Sequence, residues 1–327
     1  MAWPSSGYTL GDSSADADIA RATWAAVAHA VAEFEPVRMV VDPEGMAAAR
    51  KWLDSRIEIL EAPLDDAWMR DIGPTFVHRA DELGAVDWCF NGWGGQEWAS
   101  WDKDARIARF VADAADATLI PSDLVNEGGA IHVDGAGTVL VTETVQLDPG
   151  RNQSWTRAGV ENELVRTLGV DRVIWTPRGL TRDYDAFGTR GHIDIVATMP
   201  APGQVLLHVQ TDPAHPDYGL DAQIRAVLPG EWVVLPLLAP VRLEDHSGPV
   251  DHSYVNHYVC NGGVIACGFD DPRDAEAATV LADAYPNRSV VFVDARPLFE
   301  RGGGIHCITQ QQPALGARIT SGQKIER

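Results

Sequence analysis

The apolar positions of this chain repeat in a fixed order: two short β-prone runs around a turn, a helical stretch, then a short apolar strand. In the first unit the paired runs are Pro74–Arg79 and Gly84–Phe90. A helix is predicted over Asp102–Ala115, where Ile107, Phe110, Val111 and Ala114 recur at helical spacing, and Thr118–Ile120 follows as a strand. The second unit places Ala130–Val133 and Val139–Val145 around Asp134-Gly135, a hairpin signal. Its helix is predicted over Ser154–Leu168 with Ser154 as N-cap, before a strand over Arg172–Thr176. The third has His192–Met199 and Val205–Gln210 around Pro202-Gly203, a short helix over Leu220–Leu228 and the strand Trp232–Leu238. The fourth has Tyr254–Cys260 and Val264–Phe269 around Asn261-Gly262-Gly263, a helix over Pro272–Ala284 opened by proline, and the strand Ser289–Asp294.

A fifth unit can be assembled from both chain ends: a strand over Ile305–Thr309, a helix over Asp16–Glu33 and a strand over Val37–Val41. The unit is therefore ββαβ, roughly 50–65 residues long, a period typical of propellers and arrays. Joining the two chain ends would close the ring and leave no long free edge. The alternative is a plain open α/β sheet. At 327 residues the chain is long for one domain, but a closed ring stays single, so one domain over 1–327 is expected.

Polar residues recur at the start of the units. "DDAWMRDIGP" precedes the first and carries Trp68 and Asp71; "NEGGAIHVDG" precedes the second and carries Glu127. "GTRGHIDIVA" opens the third with Arg190, His192 and Asp194, and "RGGGIHCITQQQP" opens the fifth with Cys307. Taken singly, each has a plainer reading. Asp71 could cap a turn, Glu127 could be a loop acid, His192 and Asp194 a surface pair, and Cys307 a small core residue. In a ring, equivalent ends of successive units converge on the axis, which would gather all five around one cavity. The i, i+2 spacing of His192 and Asp194 puts both on one face of the predicted strand.

Composition narrows the chemistry. A net charge of −21 argues against nucleic acid and anionic membrane surfaces as partners, and suits a small cationic substrate. Acidity that serves only solubility is the competing explanation. Cys89, Cys260, Cys267 and Cys307 form no C-x-x-C pair, and such sparse cysteines suggest a reducing compartment. With no signal layout and no long apolar run, a cytoplasmic protein is expected. Three carboxylates to one histidine and one thiol is a poor zinc set, so no metal and no cofactor are expected. The tryptophan-rich "NGWGGQEWASW" suits core and interface equally, and a homo-oligomer is compatible with it.

The motifs "WMRDIGP", "FNGWGG", "NEGGAIHVDG", "GHID" and "GGGIHCITQQQP", in this order over almost the whole chain, resemble the agmatine deiminase family. That family lies in the guanidine-modifying pentein superfamily and is peptidyl-arginine deiminase-like. The resemblance implies a five-bladed, pseudo-fivefold α/β propeller. It implies hydrolysis of agmatine to N-carbamoylputrescine and ammonia, with Cys307 as nucleophile through a covalent amidino-thioether. Asp71 and Asp194 would grip the guanidinium, His192 would move protons, Glu127 would support His192, and Trp68 would pack along the substrate. The thiol is expected to ionise near neutrality, helped by protonated His192 and the bound cation. One departure is Gly188, four positions before His192, where the family usually has an acid. Asp183 or Asp185 could take its place, or Arg190 could face a carboxylate or amide, which would make the substrate another guanidino compound. Arg301, at the rim of the cysteine loop, is another departure. Deimination of arginine or peptidyl-arginine, amidino transfer, and non-catalytic binding of a cation are the other readings.

Overall fold

The computed structural model describes residues 1–79, 82–242, 244, 245 and 248–314. The last part of the predicted domain, 315–327, lies outside the described residues.

Four three-stranded sheets share one plan: an antiparallel hairpin whose second strand also pairs in parallel with a third. The first joins Thr75–Arg79, Glu82–Cys89 and Thr118–Val125. The second joins Ile131–Val133, Thr138–Thr142 and Arg172–Thr176. The third joins Ala197–Ala201, Gln204–Val209 and Val233–Leu238, and the fourth Tyr258–Cys260, Gly263–Gly268 and Ser289–Asp294. Parallel pairing needs a crossover, and the intervening helices supply it. The middle strands are covered on both faces, so they read as continuous apolar runs: every residue of Thr138–Thr142 and of Gly263–Gly268 is buried. Gly135, Gly203 and Gly262 take positive φ in the three tight turns where the sequence predicted hairpins.

Several expectations change. The predicted strand Ile305–Thr309 is a turn, and the fifth unit is reduced to a parallel pair, Arg38–Val41 with Glu58–Glu61, plus an Ala2–Val40 bridge. Glycines 302–304 free the backbone to turn, and Ile305, Cys307 and Ile308 reach the core without a strand. The second helix starts at Arg157, because Thr156 and not Ser154 caps it, accepting from the Gly159 amide at 3.1 Å. His192–Met199 is not one strand: Ile193–Ile195 forms a 3-10 turn and the strand begins at Ala197.

Helix Ser14–Ala32 buries Ala17, Ala20, Trp24, Val27, Ala28 and Val31, capped by Ser13. It packs against the fourth sheet, whose Val264, Ile265 and Ala266 lie in the same core. Among the described residues no helix is long and apolar enough to cross a membrane.

Candidate active site

The short segments that lead into the sheets carry the polar side chains. Asp71 sits in the helical turn Met69–Ile72, ahead of the first sheet. Glu127 precedes the 3-10 turn Gly128–Ala130 that leads into the second. His192 and Asp194 flank the start of the turn into the third, and Cys307 lies in the turn after Gly302–Gly304. All five are buried, none more than 6% exposed.

They meet. His192 Nε2 lies 3.2 Å from Glu127 Oε2, and its Nδ1 lies 3.9 Å from Asp71 Oδ2. Cys307 Sγ lies 3.6 Å from Asp194 Oδ2. Asp71 accepts from the Trp93 indole at 2.9 Å and from the Gly129 amide at 3.0 Å. His306 Nδ1 lies 2.6 Å from Asp194 Oδ2. Two buried polar atoms at the centre of this cluster have no hydrogen-bond partner among the described residues: His192 Nδ1 and Asp194 Oδ1. Trp68 borders the cluster closely: a Cβ added at Gly303 would stand 2.6 Å from Trp68 Cζ3 and 3.1 Å from Cys307 Sγ. A cavity of about 500 Å3, lined by Val31, Val37, Met69 and Tyr258 among others, contains none of the five residues. The five groups lie together in the polar cluster, apart from that hollow, whose lining includes Glu35 and Arg38.

The charges are set by burial and by neighbours. Burial opposes charge on His192, yet Asp71 and Glu127 outweigh it and hold the imidazolium up to about 9. Burial also works against Glu127, but Arg151 and His192 keep its carboxyl below the usual range. Burial lifts Asp71 to about 6, with Asp194 and Glu127 adding to the rise against the pull of His192. Asp194 is raised, mainly by burial. Cys307 departs from expectation: burial, then Asp194 and Asp71, push the thiol well above its ordinary value. A carboxylate 3.6 Å away repels a thiolate, so in this arrangement the sulfur is a neutral thiol. Among the described residues, no group of three His, Cys, Asp or Glu side chains is arranged to hold a metal ion.

The Porphyromonas-type peptidyl-arginine deiminase family matches residues 1–313. A Streptomyces coelicolor protein, whose agmatine deiminase name is provisional, is 53% identical over 96% of this chain and 95% of its own length. The chain belongs to the Porphyromonas-type peptidyl-arginine deiminase family. Within it, the agmatine deiminase of Stutzerimonas stutzeri is 39% identical, covering 96% of this chain and 92% of its own. A solved agmatine deiminase of Enterococcus faecalis superimposes with a TM-score of 0.87 at 30% identity, over 96% of this chain and 92% of that one. The mixed α/β fold is that of the deiminase structures.

Four groups around this deiminase-family site escaped the sequence reading. Arg151, fully buried, donates from Nε to both Glu127 oxygens at 2.9 and 3.2 Å, from Nη1 to Asp148 at 2.8 Å and from Nη2 to the Thr189 carbonyl at 2.7 Å. Trp93, His306 and Asn256 complete the set, the last donating to Cys307 Sγ at 3.3 Å. Asp148, the N-cap of Pro149–Asn152, gave the one local signal that "LDPGRN" forms a rigid turn. Nothing local pointed to the others.

The two candidate acids for the place of Gly188 do other things. Asp183 is buried and accepts from the Thr189 amide and hydroxyl, the Gly191 amide and the His192 amide at 2.6–3.0 Å. It fixes the segment that presents His192. Asp185 is exposed and pairs with Arg182 at 2.8 Å. Arg190 takes a positive φ of 68° and lies 3.7 Å from Asp148. Arg301 spends its guanidinium on the carbonyls of Thr9, Pro297 and Asp16, which makes it an anchor for the chain's first turns.

Proposed function

We propose that this protein is an agmatine deiminase, hydrolysing the guanidino group of agmatine to N-carbamoylputrescine and ammonia through Cys307. The carrying observation is the buried acceptor Asp194 Oδ1, unpartnered among the described residues, beside Cys307 Sγ and the protonated His192. A buried acceptor without a donor is costly, and a planar cationic donor such as guanidinium removes that cost. The agmatine deiminases of Stutzerimonas stutzeri and Enterococcus faecalis, at 39% and 30% identity, support agmatine as the substrate.

Asp71 and Asp194 take the guanidinium by charge-assisted bonds, and Trp68 packs along it. The cation neutralises the two carboxylates that hold the thiol up, so Cys307 gives its proton to solvent as substrate binds. The thiolate then adds to the central carbon and forms a C–S bond. The His192 imidazolium donates its proton to one amino group, the C–N bond breaks, and ammonia leaves. Neutral His192 next takes a proton from water as the oxygen adds to the amidino-thioether carbon. Collapse breaks the C–S bond, releases the urea-type product and returns the thiolate; the hydroxyl proton goes to solvent. Glu127, held by Arg151, keeps His192 charged for the first step.

The same reading takes the four sheets and the Arg38–Val41 pair as a five-membered ring closed around this site, in one catalytic domain working in the cytoplasm. The test is ammonia release from agmatine, arginine and an arginyl peptide, with Cys307→Ala as control. Turnover of agmatine, abolished in the variant, is expected. Consumption of arginine with agmatine untouched overturns the substrate, and full activity of the variant overturns the nucleophile.

A further inference from the structure

Three of the four three-stranded sheets are preceded by a residue the sequence marks as chemical: Asp71, Glu127, and His192 with Asp194. The segment leading into the fourth, Tyr258–Cys260, carries no charged group at that point. It carries Asn256, which is fully buried. We propose that Asn256 is the fourth sheet's contribution to the site, a thiolate-holding residue that aims and stabilises Cys307. This rests on Cys307 being the nucleophile and is independent of which guanidine is turned over.

The orientation of the amide follows from its partners. The His306 backbone amide, a donor only, lies 2.9 Å from Oδ1. The Nδ2 end therefore faces the two acceptors, Cys307 Sγ at 3.3 Å and the Asp194 carbonyl at 3.3 Å. One side chain thus ties the cysteine turn to the residue that carries the Asp194 carboxylate. The backbone of Asn256 is fixed in turn, its carbonyl accepting from Cys267 Sγ at 2.9 Å. The cysteine loop is fitted to it: a Cβ on Gly304 would stand 2.4 Å from Asn256 Oδ1, so only glycine allows the approach.

The amide serves both states of the sulfur. The neutral thiol can donate to Asp194 Oδ2 at 3.6 Å or to Asn256 Oδ1 at 3.7 Å. When the proton leaves, those two contacts become repulsive or useless. The thiolate then keeps two donors, Asn256 Nδ2 and the Gly304 amide at 3.4 Å. Asp194 and Asp71 set negative charge against the thiolate and the buried Arg70 guanidinium offsets part of it, while these two donors are its hydrogen bonds among the described residues until the substrate arrives. A side-chain amide is suited to this place: it donates without carrying a charge that would compete with the guanidinium for Asp194.

The experiment is the pH dependence of Cys307 alkylation by iodoacetamide in the substrate-free full chain, read by peptide mass so that exposed Cys89 does not interfere. It is run on wild type, Asn256→Ala and Asn256→Asp. Alkylation of both variants is expected to move to higher pH. Asn256→Asp, being the same shape with an added negative charge, should move further. With agmatine, kcat should fall about 100-fold in Asn256→Ala, the size seen when one preorganised donor is removed, with KM changing much less. A purely structural amide would lower the melting temperature and leave the alkylation profile in place. An unmoved profile in folded Asn256→Asp overturns the proposal, whatever becomes of Asn256→Ala. If another guanidine is turned over in place of agmatine and the profile moves, the substrate reading fails and this one stands.

Discussion

Arg151 is the residue on which the protonation of the site should turn. Its side chain is fully buried, binds both oxygens of Glu127, and sits between Asp148 and Glu127 in the line Asp148, Arg151, Glu127, His192. Arg151→Met removes the charge and keeps much of the volume. It leaves Glu127 as a buried carboxylate whose remaining counter-charge is His192, and breaking such a pair from one side costs about 3–5 kcal/mol. Removing both partners, as in Arg151→Met with Glu127→Gln, should recover part of that loss, since Glu127 then carries no charge while Asp148 keeps only Arg190 at 3.7 Å as counter-charge. Function should not follow stability. Without Arg151 the Glu127 carboxyl takes up a proton more readily, and His192 loses part of what holds its imidazolium up to about 9. A raised histidine acts in its protonated form below that value and loses it above, so the alkaline fall of kcat/KM in wild type belongs near pH 9. In Arg151→Met it should move to lower pH. Urea unfolding at pH 7 and kcat/KM from pH 5 to 10 test both parts. A loss under about 1 kcal/mol in Arg151→Met, or a double variant less stable than the single one, would refute the buried-charge argument. An alkaline limb that stays near 9 would refute the link from Arg151 to His192.

Two further outcomes follow from the same geometry. Asp194→Asn removes the nearest carboxylate from Cys307, so the substrate-free thiol should alkylate faster at neutral pH while turnover collapses; a slower or unchanged alkylation rate contradicts the charge assignment. Gly303→Ala would drive a methyl group against the Trp68 ring and the Cys307 sulfur, costing about 1–3 kcal/mol by overpacking and most of the activity, and near-normal kcat/KM would show that the loop can shift without harm.

The units were legible because their signals are local. Strand runs such as "TVLVT" are apolar and β-branched, and the turns between them hold glycine where φ must be positive. The fifth unit misled for the same reason. "IHCIT" has the composition of a strand, but a strand needs a partner, and three preceding glycines let this segment turn into the core instead. The His192–Asp194 pair was found with a wrong local reason: the two lie on a 3-10 turn, not on one strand face. Both reach the site because Asp183 pins the backbone amides around them.

The carboxylates, the histidine and the cysteine of the site stood out by residue type beside glycine, and the family resemblance ordered them. Asn256, Arg151, Trp93 and His306 did not, since an amide, a surface-type cation and two aromatics have ordinary structural uses. Their meaning lies in distances between residues far apart in sequence: Asn256 meets Cys307 across 51 positions and His306 meets Asp194 across 112. The ionisation of the site is likewise a product of packing. The sequence by itself determined the module order, the family and the five polar side chains that the fold brings together, because hydrophobic period, turn glycines and residue chemistry are written in short segments. Only the tertiary structure decided that the cysteine rests as a thiol among carboxylates, that His192 holds its proton, and that Asp183 and Arg301 serve the backbone. Those properties depend on burial and on which charges lie within a few ångströms, and neither is carried by neighbouring residues in the chain.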